Sequence, residues 1–144
     1  MDFLRINVLL NCERGFLARN ADGPSLNETE CKICTYIHQN PLCSQDNVAR
    51  SLKLDKTTVA KALLCLENKG LVTRNIDKQD RRRKMLSITP EGEKISRALR
   101  TAHDEWLEKI LVCLTPEERA NFDNYCNRIL KTAEQLIAED RENA

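Results

Sequence analysis

The sequence predicts a mainly α-helical fold that carries one small β-hairpin, and three observations predict it. Apolar residues recur at three- and four-residue spacing over most of the 144 positions, the period of amphipathic helices. Capping residues and helix breakers punctuate the joints between these stretches. The helical period lapses once, between Leu71 and Ile88, where two short runs with β-branched residues flank a polar turn.

Residues 2 to 19 carry Phe3, Leu4, Ile6, Leu10, Phe16 and Leu17 at helical spacing and stop at the breaker run Asn20-Ala21-Asp22-Gly23-Pro24. Asn27 and Glu30 have the spacing of a capping box, and the stripe of Ile33 and Ile37 behind them ends at Asn40-Pro41. Ser44 caps a short third helix through Leu52 that turns Val48, Ala49 and Leu52 inward. Asp55 caps a fourth, with Val59, Leu63 and Leu66 on one face and Gly70 as its left-handed terminator. Two short helices joined by so tight a turn form a helix-turn-helix. The hairpin that follows, Leu71 to Ile76 and Arg83 to Ile88 around Asp77-Lys78-Gln79-Asp80, makes it a winged helix-turn-helix.

Thr89-Pro90 pairs a cap with a proline at the first helical position and opens a fifth helix to about Leu114. Its buried side holds Ile95, Leu99, Ala102, Trp106 and Ile110. Thr115-Pro116-Glu117-Glu118 repeats the device for a last helix to about Ala138, with Phe122, Ile129, Ala133 and Leu136 inward.

A chain of this length fits a single domain, 1–144. Aromatic residues make up only 4% of it, and much of the apolar content lies in the helical stripes at its two ends. Such stripes call for a second subunit to cover them. No apolar run exceeds the length of Ile110 to Leu114, far below the roughly 20 residues that cross a bilayer. The opening residues lack the basic region of a signal peptide, so a cytoplasmic protein without membrane contact is expected. Seven cysteines cannot all pair internally, and in a reducing compartment free thiols are the default.

Charge is unevenly placed. From Ser44 to Thr89 eleven basic residues stand against five acidic ones, a local balance of +6, while the whole chain is only +1. A near-neutral protein that gathers its positive charge in one compact third presents a face for a polyphosphate backbone. With Val59, Leu63 and Leu66 committed to the core, the opposite face of the fourth helix offers Lys56, Thr57, Thr58, Ala60 and Lys61 near its N-terminal end. A recognition helix puts its base-reading side chains there. Two lysines alone would suit any solvated surface. Arg81, Arg82, Arg83 and Lys84 decide between the readings, because four like charges beside a turn repel one another unless an anion is present. Arginine at a protruding tip suits the narrow minor groove.

Other chemistries fare less well. Cys31, Cys34 and His38 have a C-x-x-C-x-x-x-H spacing, with Cys43 near in sequence, but one helix cannot supply a tetrahedral zinc set, and packing beside Ile33 and Ile37 is the simpler expectation. Cys12 and Cys65 have basic neighbours that suit a thiol switch. His38 and His103 lie on different helices, and no G-x-S-x-G, Gly-rich phosphate loop or H-E-x-x-H occurs. Neither enzymatic activity nor a cofactor is expected.

From Leu26 to about Gly92 the sequence resembles the MarR (multiple antibiotic resistance regulator) family of winged-helix transcriptional regulators. The resemblance is carried by Leu54-Asp55-Lys56-Thr57-Thr58-Val59, Leu66-Glu67-Asn68-Lys69-Gly70-Leu71-Val72-Thr73-Arg74, Asp80-Arg81-Arg82 and Leu86-Ser87-Ile88-Thr89-Pro90-Glu91-Gly92. It implies that residues 56 to 61 read bases, that Arg82 enters the minor groove, and that Asp80 braces the wing through a basic neighbour such as Arg74, which is itself counted with Arg81, Arg82, Arg83 and Lys84 among the expected DNA contacts. It further implies a DNA-binding lobe over 26–92 and helical segments 1–22 and 93–144 that pair with a second subunit. A small aromatic effector would bind between the lobes, making Tyr36, His38 and Trp106 the residues to inspect. Lys53 departs from the pattern, since it holds the turn where the family often has glycine. The expected function is that of a homodimeric regulator, by family tendency a repressor, on a pseudo-palindromic duplex operator. The alternative is a winged helix used for protein contacts, or a metal- or thiol-dependent domain that keeps the fold.

Overall fold

The computed structural model describes residues 3–20, 23–76 and 84–142. In order these form α1 (Phe3–Asn20), α2 (Glu28–Gln39), β1 (Cys43–Ser44), α3 (Gln45–Leu52), α4 (Lys56–Asn68), β2 (Val72–Ile76), β3 (Lys84–Ile88), α5 (Pro90–Ile110) and α6 (Pro116–Glu142), with a 3-10 turn at Leu111–Cys113. The fold is mainly helical with one small sheet, as the period of the sequence requires. Contacts group the chain into two units, Met1–Trp106 and Leu107–Ala144.

The caps form as their spacing predicts. Asn27 and Glu30 exchange side-chain-to-backbone hydrogen bonds of 2.9 and 3.1 Å. Ser44 caps α3 in the same reciprocal way with Asn47, so α3 begins with its backbone donors satisfied. Lys53 turns the chain in the left-handed region at φ 54. Asp55 then caps α4 through a 2.8 Å bond from the Thr58 amide. At the other end of α4, Gly70 takes φ 70 while its amide bonds the Glu67 carbonyl and that of Leu71 bonds Leu66, each at 2.9 Å. This double bond pattern closes the helix and sends the chain into the hairpin.

One core holds the first unit together. Ile33 and Ile37 from α2, Val48 from α3, Val59, Leu63 and Leu66 from α4, Leu71, and Leu86 from β3 are each at most 1% exposed. Each such side chain contributes about 1.5–3 kcal/mol by leaving water. Gly92 lies where α5 crosses the end of the hairpin. A Cβ there would stand 2.1 Å from the Leu71 carbonyl oxygen and 2.9 Å from Cδ1 of Ile88, so only glycine permits the approach.

Several features depart from the sequence reading. The sheet has a third strand, because Cys43 and Ser44 pair with Leu86 and Met85 to give the order β1-β3-β2. Two residues are too few to show a period, so the strand left no pattern to read. Helix α5 stops at Ile110 and not near Leu114. Leu111–Cys113 tighten into the 3-10 turn, Leu114 is extended, and Nε of Arg119 takes up the carbonyls of Leu111 at 3.0 Å and Leu114 at 3.3 Å. Helix α6 runs on to Glu142. Its stripe is not inward within this chain: Phe122, Ile129 and Leu136 are 47%, 55% and 59% exposed, and Ala133 is exposed as well.

Candidate nucleic-acid interface

Helix α4 buries Val59, Ala62, Leu63 and Leu66, and this fixes which edge it presents outward. Lys56, Thr57 and Lys61 are exposed on that edge. Thr58 is half-buried and already engaged, because its hydroxyl donates to Oδ2 of Asp55 at 2.5 Å while its amide donates to Oδ1. These bonds hold the Asp55 carboxyl below the usual aspartate range. Of the two threonines, Thr57 has the hydroxyl without a hydrogen-bond partner among the described residues. Lys56 is also held, with Nζ 2.9 Å from Oδ1 of Asp46 on the first turn of α3.

The hairpin leaves the same helix. Strands β2 and β3 pair antiparallel from Val72 opposite Ile88 to Ile76 opposite Lys84. Across them Nδ2 of Asn75 donates to Oγ of Ser87 at 3.2 Å. Thr89 locks the base, its hydroxyl donating to the carbonyls of Gly70 at 2.7 Å and Leu71 at 3.1 Å. Lys84 is exposed at the far end of β3. Arg81, Arg82 and Arg83, and with them Asp80, lie outside the described residues.

Arg74 is placed differently from the other cations. Its side chain is 27% exposed, and Nε lies 3.0 Å from Oε1 of Glu67 on α4, a charge contact that lacks the alignment of a hydrogen bond. Arg74 thus ties the hairpin to the helix that presents Lys56, Thr57 and Lys61 outward. Glu67 escaped the sequence reading because its partner is cross-element, although the acid sits in α4 where a basic strand residue would need one.

A second feature is an open cavity of about 800 Å³ bounded by α1, α2, α5 and the loop before α2. Leu17 and Leu99 give it apolar wall, while Arg14, Arg100, His103 and Tyr36 bring polar atoms to its lining. Nδ1 of His103 lies 2.7 Å from Oε1 of Glu13, which joins α5 to α1. Of the three residues singled out from sequence, Tyr36 lines the cavity and His38 and Trp106 do not. Trp106 packs instead on Phe16, ring centroids 5.4 Å apart, because the apolar faces of α1 and α5 meet there. The Tyr36 and Ser51 hydroxyls, 2.9 Å apart, connect the cavity wall to α3.

The cysteines divide by burial. Burial pushes the Cys31 thiol up to about 11 and raises those of Cys34 and Cys43, so these three stay protonated near neutral pH, the unreactive state. Cys12 and Cys65 are exposed. Among the described residues, no three His, Cys, Asp or Glu side chains are grouped to hold a metal ion. No described helix is long and apolar enough to cross a membrane.

The MarR family profile matches residues 26–84, the span from the start of α2 to the far strand of the hairpin. The chain is 31% identical over 109 residues to transcriptional regulator HosA of Escherichia coli O157:H7, covering 76% of this chain and 81% of that protein. It is 31% identical over 99 residues to the uncharacterized HTH-type transcriptional regulator YybA of Bacillus subtilis (strain 168), 69% of this chain and 66% of that one. Among solved structures, MarR superposes with a TM-score of 0.81 at 28% identity, over 96% of this chain and 98% of that one. Streptococcus pneumoniae FabT, solved in complex with DNA, gives 0.75 at 26% identity over 94% and 99%.

Proposed function

This chain belongs to the MarR family of DNA-binding transcriptional regulators, and on that premise we propose that it acts as a homodimer on a pseudo-palindromic operator, as a cytoplasmic repressor without catalytic activity. The observation that carries the reading is the outward edge of α4, where Lys56, Thr57 and Lys61 stand clear of a core fixed by Val59, Leu63 and Leu66. Residues 26–92 form the reading lobe. Lys56 and Lys61 reach phosphate or guanine, and Thr57 reads a base edge in the major groove. Thr58 sets the helix start from the same edge. Arg81, Arg82, Arg83 and Lys84 supply the wing's minor-groove and phosphate contacts, and Arg74 braces the wing against Glu67.

Segments 1–22 and 93–144 supply the subunit contacts. Leu4 and Val8 on α1, and Phe122, Tyr125, Ile129, Leu130 and Leu136 on α6, are exposed in the single chain at 47% or more, apolar faces that a second subunit would cover. A small effector fits the cavity beside α2, and Tyr36 gives it a route to the helix-turn-helix through Ser51. Occupancy would shift the reading lobes between two spacings, one of which matches successive major grooves.

A salt series on duplex DNA tests the reading. A dimer that neutralises several phosphates loses affinity with a log-log slope of about −0.9 per phosphate contacted. A flat response would favour a winged helix that contacts protein instead.

A further inference from the structure

The five acids between Ser44 and Thr89 have separate fates. Asp77 and Asp80 lie outside the described residues. Glu67 faces Arg74, and Asp55 is spent on capping α4. Asp46 alone of the described three pairs with a lysine of the reading edge.

The local structure puts it there. The reciprocal cap of Ser44 and Asn47 makes Gln45 and Asp46 the first two residues of α3, where a carboxylate suits the positive helix end. Lys56 is the first residue of α4, where a cation is disfavoured for the same reason. The two helix starts lie side by side, since Nε2 of Gln45 donates to the Lys56 carbonyl at 3.4 Å and Nζ of Lys56 sits 2.9 Å from Asp46 Oδ1. Both side chains are open to water, 76% and 70% exposed, so the pair is weak and an incoming phosphate can replace the carboxylate. Lys56 first and Arg50 second hold the Asp46 carboxyl below the usual aspartate range while the pair stands.

We propose that Asp46 is a specificity-determining residue: it occupies Lys56 in loosely bound complexes and yields it only where the operator seats a phosphate at the α3–α4 corner. The proposal rests on the DNA-binding reading above. Non-specific complexes are held by lysine and arginine on phosphate, so a carboxylate that keeps one lysine occupied weakens them selectively. In the seated complex Lys56 has exchanged partners, and the carboxylate no longer withholds it.

The test compares the full chain with Asp46→Asn, Lys56→Gln and the double variant. Each binds a duplex selected by the parent from a random pool and a duplex of scrambled sequence, from 50 to 200 mM salt. Asp46→Asn is expected to steepen the salt slope on scrambled duplex by about 0.9, roughly a further 3.5-fold loss of affinity over that range, and to leave the slope on the selected duplex unchanged. The affinity ratio between the two duplexes falls. In the Lys56→Gln background the slope change disappears, because no lysine is freed. The melting temperature falls only slightly, through loss of an exposed pair and of one charge at the helix start, and a merely structural role would not change the salt slope on one duplex alone. A parental slope and ratio in Asp46→Asn, or weaker binding to both duplexes, would overturn the proposal. A salt-insensitive parent would sink the DNA reading itself, and this inference with it.

Discussion

Lys69, at the end of α4, places its ammonium 2.7 Å from Oε2 of Glu30 and 2.8 Å from the Ser25 carbonyl oxygen. Glu30 is 3% exposed and belongs to the capping box of α2. One carboxylate thus closes the start of α2 and anchors the end of α4. Burial pushes that carboxyl up, but hydrogen bonds from Lys69 and Asn27, with the charge of Lys69, outweigh it and hold it below the ordinary glutamate value.

A depressed carboxyl stabilises the fold above its unfolded value of about 4.3 and loses that contribution as pH falls through the lower folded value. Glu30→Gln should therefore flatten part of the acid limb of the stability curve. Lys69→Ala leaves a buried carboxylate unpaired and should cost about 3 kcal/mol near pH 7, the lower end of the usual range because Lys69 is 31% exposed. Urea unfolding across a pH series measures both. An unchanged midpoint in Lys69→Ala would show that the pair does not hold α4.

Thr57 and Thr58 should separate recognition from stability. Thr58→Ala removes the hydroxyl bond to Asp55 but keeps the amide bond, a loss of about 1 kcal/mol in unfolding free energy. Thr57→Ala, at an exposed position, should leave stability within about 0.5 kcal/mol and relax base preference at one operator position by roughly 1–3 kcal/mol. Selection of duplexes by each variant, beside its melting curve, distinguishes them. Altered preference in Thr58→Ala alone would reverse the assignment.

Gly92→Ala should lower stability by more than the 1–3 kcal/mol of ordinary overpacking, because the added carbon meets a backbone oxygen and not a movable side chain. The Leu71 carbonyl it would strike already accepts from the Thr89 amide at 3.0 Å and hydroxyl at 3.1 Å. The variant should melt early and bind DNA less tightly as the hairpin base is displaced. A parental melting temperature would mean that the α5 start can move aside.

The helix starts at Asn27, Ser44, Asp55, Thr89 and Thr115 and the turn at Gly70 were legible in the sequence, because each depends on partners within three to five residues. The core face of α4 was legible for a similar reason, since a helical period says which residues share a side. The outward edge of α4 followed by subtraction, but not the partners that packing gives it, Asp46 on Lys56 and Asp55 on the Thr58 hydroxyl.

By itself the sequence determined the order of helices, the hairpin that follows them and the cationic segment they share, all consequences of short-range backbone geometry and composition. Tertiary structure alone decided that Cys43 pairs with Leu86, that Arg74 answers Glu67, that Lys56 answers Asp46, and that Tyr36 joins a cavity wall to Ser51. These partners stand seven to 43 residues apart. Periodicity fixes the side on which a residue lies, and only the packing of one element on another fixes what it meets there.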